Sequence, residues 1–323
     1  MSTGAAGPFA QRLAVAPISW GVCEVPGWGT QLSCERVLGE MRGLGITATE
    51  FGPDGFLPES PSQKAAVLSD HGMHAVGGFI HLVMHDPEVD VLPVVRAAIV
   101  AFLAAGATRM VLAADTGQVG YDSRPDLDET QWDRLLATLD SVDALCADQG
   151  IVAAIHPHVG TMVESAADIA RVLAGSCTGI CLDTGHFLVG GSDPVAFAVE
   201  HTERISHVHL KDVRISLAEE VRSGDLTYTE AVASGMYVPL GSGDIDIWTI
   251  ITRLEGSGYS GYYVLEQDVV LHDEPAVGTG PVQDVRASLS FLTSRPTPSR
   301  GRAPAVQQTT PPTARRNTQE DLR

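Results

Sequence analysis

Apolar positions along this chain follow two alternating rhythms. Short runs of β-branched and small apolar residues precede longer stretches in which apolar side chains recur every three to four positions. The first rhythm belongs to strands and the second to amphipathic helices, and their alternation predicts βα units around a parallel sheet. Eight strand segments fit the pattern. The first four are 13–19 (LAVAPIS), 46–51 (ITATEF), 74–80 (HAVGGFI) and 108–113 (TRMVLA). The others are 151–156 (IVAAIH), 178–182 (TGICL), 204–210 (RISHVHL) and 261–266 (GYYVLE).

Helical patterns lie between them. Residues 33–44 begin with Ser33 as N-cap and stop at Gly45, while 89–105, 129–149 and 246–255 stop at Gly106, Gly150 and Gly256. Glycine takes the positive φ that ends a helix. Trp132, Leu135, Leu136, Leu139, Val142, Leu145 and Cys146 form one apolar stripe suited to lying on a sheet. Eight such repeats predict a closed (β/α)8 TIM barrel, an α/β fold of about 250 residues. No GxGxxG follows the first strand, which counts against a dinucleotide-binding sheet. Residues 213–243 exceed the needs of a βα loop and are expected to form a helical insertion over the barrel mouth, as a lid or substrate wall.

Charge divides the chain in two. The net charge is −19, but residues 294–323 carry six arginines against Glu320 and Asp321, which leaves the preceding 293 at −23. An acidic body repels phosphate backbones and argues against nucleic acid. The tail is rich in Pro, Thr and Arg and cannot bury enough surface to offset its ordering entropy. The expected organisation is therefore a barrel over 1–293 and a disordered tail over 294–323. No apolar run reaches the roughly 18 residues of a membrane span, and MSTGAAGPFA lacks the features of a secretory signal. Five cysteines with no CxxC pair suit reduced thiols and a cytoplasmic location.

Barrel enzymes draw their chemistry from the C-terminal ends of the strands. Here the second strand ends at Glu50 and the third runs into His81. The fifth ends in His156-Pro-His158, the sixth in Asp183-Thr-Gly-His186, the seventh in His207-Val-His209-Leu-Lys211-Asp212 and the eighth in Glu266-Gln-Asp268. Imidazoles and carboxylates converging from separate strands suit Mn²⁺, Co²⁺ or Zn²⁺, and no thiolate stands at these positions. A single such histidine is often just barrel filling. The whole set, buried without a counter-ion, would cost several kcal/mol per group.

DTGH (183–186), HVHLKD (207–212) and GYSGYYVLEQD (258–268) resemble the xylose isomerase-like superfamily of sugar isomerases, epimerases and dehydratases. HPHVGTMVES (156–165), LDTGHFLVGGSDP (182–194) and PLGSGDID (239–246) are similar to the inosose dehydratase family within it, as are APISWGV (16–22) and TATEFGPDGFLP (47–58). The resemblance covers most of residues 13–292. It implies a divalent metal, Mn²⁺ or Co²⁺ foremost, on Asp183, His209 and Glu266. The fourth ligand of the superfamily is usually a Glu, and that position holds His156; His158 and Glu50 are the alternatives.

The implied reaction is elimination of water from a cyclic polyhydroxy ketone such as 2-keto-myo-inositol, with the metal stabilising an enolate. Acid and base are expected among His156 or His158 on one side and Glu266 or Lys211 on the other. Lysine beside a metal is expected to have a lowered pKa, or simply to pair with Asp212 or Asp183. Trp20, Glu50, His81, His186 and Arg214 are candidate substrate contacts, and Asp212 a candidate orienter of an imidazole. The partner is thus a small sugar or cyclitol ketone, with no nucleic acid and no membrane, and a homo-oligomer is compatible. Three other readings compete: a ketose isomerase or epimerase, which lacks its second carboxylate here; elimination on a 3-keto glycoside; and a non-catalytic sugar-binding barrel.

Overall fold

The computed structural model describes residues 9–294, in which eight parallel strands close into a barrel. Its first seven strands are β1 (Leu13–Val15), β2 (Ala48–Glu50), β3 (His74–Leu82), β4 (Arg109–Ala114), β5 (Val152–Ile155), β6 (Gly179–Asp183) and β7 (Ile205–Leu210). An antiparallel pair, β8 (Asp212–Val213) and β9 (Tyr237–Val238), belongs to the insertion. The eighth barrel strand, β10 (Tyr263–Leu265), joins β7 to β1 and closes the ring. All eight predicted strands are present. The first is shorter than predicted, because Pro17 opens a 3₁₀ turn over Pro17–Trp20 and offers no N–H to a ladder. The third is longer and carries His81 within it.

The helices α1 (Cys34–Gly43), α2 (Pro61–Asp70), α3 (Leu92–Ala105), α4 (Glu129–Ala147) and α5 (Ala166–Gly175) each precede the next strand. Next come α6 (Thr184–Val189), α7 (Pro194–Glu200), α8 (Ile215–Ser223), α9 (Tyr228–Ala233), α10 (Ile247–Ser257) and α11 (Pro281–Thr293). Ser33 caps α1 by accepting from the Arg36 N–H. On α4, Trp132, Leu135, Leu139, Val142 and Cys146 are buried, as the stripe requires. The predicted stop at Gly256 is corrected. Helix α10 runs through it and ends at Gly258, which has a φ of 85°. Among the described residues no helix is long and apolar enough to cross a membrane. The tail expected over 294–323 lies, Ser294 apart, outside the described residues.

Period-two alternation decides what faces the barrel axis. Phe79, Val111, Ala154 and Cys181 pack together, as do Ala14, Ala48, Val76 and Val264. Two residues further along the same strands come Glu50, His156, Asp183 and Glu266. The alternating face that fills the barrel with apolar groups thus delivers ionisable groups at its C-terminal end.

Candidate active site

Asp183 ends β6 and caps α6. Its Oδ1 accepts from the Gly185 and His186 N–H groups, both at 2.9 Å, so the helix start fixes the carboxylate. Oδ2 is left facing His156 Nε2 at 3.4 Å, Lys211 Nζ at 3.4 Å and His209 Nδ1 at 3.6 Å. Gly185 is required here, because a Cβ would lie 2.8 Å from both Lys211 Cγ and the Tyr237 ring. Thr184 Oγ1 donates to the Lys211 carbonyl at 2.6 Å and accepts its N–H at 2.8 Å, locking the ends of β6 and β7 together.

His209 stands at the centre. Its Nε2 lies 3.3 Å from Glu50 Oε1, which also bonds His207 Nε2 at 2.8 Å. Its Nδ1 faces Asp183 and, at 3.2 Å, Glu266 Oε2, without making a hydrogen bond. Burial alone would lower the His209 pKa, but the Cys181 sulfur and the Glu266 and Glu50 carboxylates outweigh it and hold the ring well above 6.5. His156 is pushed the other way, chiefly by burial. Nitrogen and oxygen atoms of Asp183, His209 and Glu266 lie within 4.8 Å of one another, close enough to hold a metal ion. This donor set suits a hard or borderline divalent cation. The orphaned Nδ1 of His209 and the surplus of buried carboxylate over fixed positive charge fit such an ion. None of the strand-end positions is a cysteine, but Cys181, two residues before Asp183 on the same face, joins His156 and His209 in a second such group. Burial raises that thiol to about 11.

Lys211 is buried among carboxylates, with Nζ 2.8 Å from Asp268 Oδ1, 3.2 Å from Glu266 Oε2 and 3.1 Å from His186 Nε2. Burial would lower its pKa; Asp183, Asp268 and Glu266 reverse that and hold it well above 10.5. It does not pair with Asp212. That carboxylate accepts instead from the N–H groups of Val213, Gly241, Gly243 and Ile245 at 2.8–3.1 Å. Asp212 therefore orders the returning limb of the insertion and orients no imidazole. The insertion itself is a packed wall. Tyr228 and Tyr237 are buried, the Tyr228 hydroxyl donates to Asp268 Oδ2 at 2.7 Å, and Lys211 Nζ sits 5.0 Å from the Tyr237 ring centroid.

A cavity of about 440 Å³ opens above these groups. Glu50, His81, His156, His158, Lys211 and Glu266 all line it. Three expected substrate contacts do not. Trp20 is wholly buried and donates to Glu40 Oε2 at 2.8 Å, so it packs the barrel wall while Trp28 lines the cavity. His186 lies behind His158, their ring centroids 3.7 Å apart. Arg214 is an exposed residue at the start of α8 that donates to the Gly235 carbonyl at 3.1 Å. Asp268, one of the strand-end groups, lines the cavity as well, and so do Glu24, Tyr121 and Tyr228, which the sequence reading missed. Asp268 follows the eighth barrel strand closely, whereas Glu24 lies nine residues past the end of β1. The two tyrosines carry no local signal of their role.

A family model described as xylose isomerase-like TIM barrel matches residues 39–295. The chain belongs to that family. It is 32% identical over 271 residues to the rhizopine catabolism protein MocC of Rhizobium meliloti, covering 80% of this chain and 81% of that one. Identity to an inosose dehydratase of Geobacillus kaustophilus (strain HTA426) is 31% over 283 residues, or 84% of this chain and 89% of the relative. Among solved structures, the IolI protein with a bound zinc atom matches with a TM-score of 0.62. That match covers 87% of this chain and 96% of IolI at 13% identity, and it shows the fold alone.

Proposed function

We propose that this chain is a metal-dependent carbon–oxygen lyase of the inosose dehydratase type, removing water from a cyclic polyhydroxy ketone such as 2-keto-myo-inositol. The observation that carries the reading is the meeting of His156, Asp183, His209 and Glu266 beside a buried Lys211 under one cavity. Relatives named inosose dehydratase at 31% and 26% identity support it. His156, Asp183, His209 and Glu266 would hold the ion, with Mn²⁺ or Co²⁺ preferred and Zn²⁺ served by the same ligands. When bound, it supplies Lewis acidity toward the ketone oxygen.

The chain's own groups do the proton work. Burial, reinforced by His156 and Lys211, holds His158 neutral, well below 6.5. From the cavity wall it takes the proton α to the carbonyl. Lys211, held 2.8 Å from Asp268 Oδ1, donates to the departing hydroxyl. The C–H and C–O bonds break, a C=C bond forms, and water leaves. A neutral base beside a charged acid is the pairing that elimination needs at neutral pH.

The test is turnover of 2-keto-myo-inositol by chelator-treated protein, following the conjugated dione with and without Mn²⁺ or Co²⁺. Metal-dependent product is expected. Tight metal binding with no product would move the reading to 3-keto glycoside elimination or ketose epimerisation.

A further inference from the structure

A second polar cluster lies at the cavity rim, away from the proposed metal ligands. Glu24, in the loop after β1, receives a hydrogen bond from the Tyr121 hydroxyl on Oε1. His81 Nε2 approaches the same oxygen at 3.5 Å, and its Nδ1 lies 3.7 Å from Asp115 Oδ2. Glu24, His81 and Tyr121 line the main cavity and also a side cavity of about 220 Å³ that contains Asp115. The rings beside them are aromatic: Phe79 lies 4.6 Å from His81, and Tyr121 4.4 Å from His158, centroid to centroid. Tyr121 is in turn seated against Gly160, where a Cβ would collide with its backbone at 2.3 Å.

We infer that Glu24, held by Tyr121 and His81, is a specificity subsite that accepts hydrogen bonds from ring hydroxyls remote from the ketone. The inference rests on the dehydratase reading for the identity of the ring. Tyr121 and His81 both engage Oε1, which leaves Oε2 of a cavity-lining carboxylate as the acceptor for a hydroxyl. Aromatic side chains alongside suit the C–H face of a saturated ring. Burial would raise the Glu24 carboxyl, but the nearby His81 imidazole and the hydrogen bond from Tyr121 bring it down to about 2, so it is a charged acceptor at neutral pH. Hydrogen bonds to charged groups discriminate strongly against ligands that lack the donor.

The experiment compares wild type with Glu24→Ala and Tyr121→Phe, using 2-keto-myo-inositol and an analogue deoxygenated on the carbons opposite the ketone. In Glu24→Ala, kcat/KM for the full polyol is expected to fall roughly 10- to 100-fold, mostly through KM. The deoxy analogue should lose far less, and Tyr121→Phe should fall between. Metal content should not change, because none of these residues contacts the proposed ligands. Equal losses on both substrates, or loss of metal from Glu24→Ala, would overturn the inference. Calorimetric binding of the unreactive cyclitol and its deoxy analogue separates the subsite from the chemistry. A preference for the full polyol that disappears in Glu24→Ala supports the subsite even if no elimination occurs. No binding by wild type, or a preference that survives the substitution, refutes it.

Discussion

The Tyr228 hydroxyl donates to Asp268 Oδ2 at 2.7 Å, so the insertion after β7 holds a carboxylate that follows β10. Asp268 in turn holds Lys211 at 2.8 Å. The insertion thus positions the lysine through one intermediary, and Tyr228→Phe tests this directly. A fall in kcat of about 10-fold is expected from losing one hydrogen bond to a charged group, with metal content intact. A variant with unchanged kcat and pH profile would leave Tyr228 as wall alone.

The metal set and the lysine separate by substitution. Asp183→Asn and His209→Ala should each abolish metal retention, read by elemental analysis after dialysis. Lys211→Met should keep the metal and slow turnover by at least about 100-fold, the scale of a lost acid–base group. Full metal occupancy in either ligand variant would sink the ligand assignment, and normal turnover without the lysine would remove it from the mechanism.

Asp212 serves order rather than chemistry. Its carboxylate satisfies four backbone N–H groups, all orphaned in Asp212→Ala. Denaturant unfolding should show a loss of about 2–4 kcal/mol. A loss below about 0.5 kcal/mol, the range of ordinary surface substitutions, would contradict this role.

Stability should weaken well above the carboxylate range of pH. His158, His186 and His207 are held below 6.5, chiefly by burial. Their folded values lie below the unfolded one, so their contribution is complete above about 6.5 and is lost as pH falls. His209 has the opposite sign: its pKa is raised, so its contribution is present below 6.5 and lost only as pH rises through that higher value. In chelator-treated protein the Tm should therefore drop between about pH 7 and about pH 5, before most carboxylates titrate. A level Tm across that window would refute the neutral assignment of these rings.

Much of this was legible in the chain itself. Strand and helix rhythms are local consequences of which face is buried, so eight βα repeats were countable before any contact was known. The same period-two logic placed Glu50, His156, Asp183, His209 and Glu266 at strand ends, and motif resemblance pointed to the family. Direction and partnership beyond the strand ends were not legible. Trp20 faces Glu40 behind the sheet because the chain turns sharply at Pro17. Asp212 turns to the 241–245 loop because four N–H groups converge there. Glu24 and Tyr121 are 97 positions apart and meet only because the parallel strands of the barrel deliver the loops after β1 and β4 to the same end. Sequence alone determined the repeating units and the ionisable groups at their ends, because both follow from local periodicity. The tertiary structure decided which groups share a cavity, which charges offset one another and which polar residues merely hold loops, because each depends on distances set only when the ring closes.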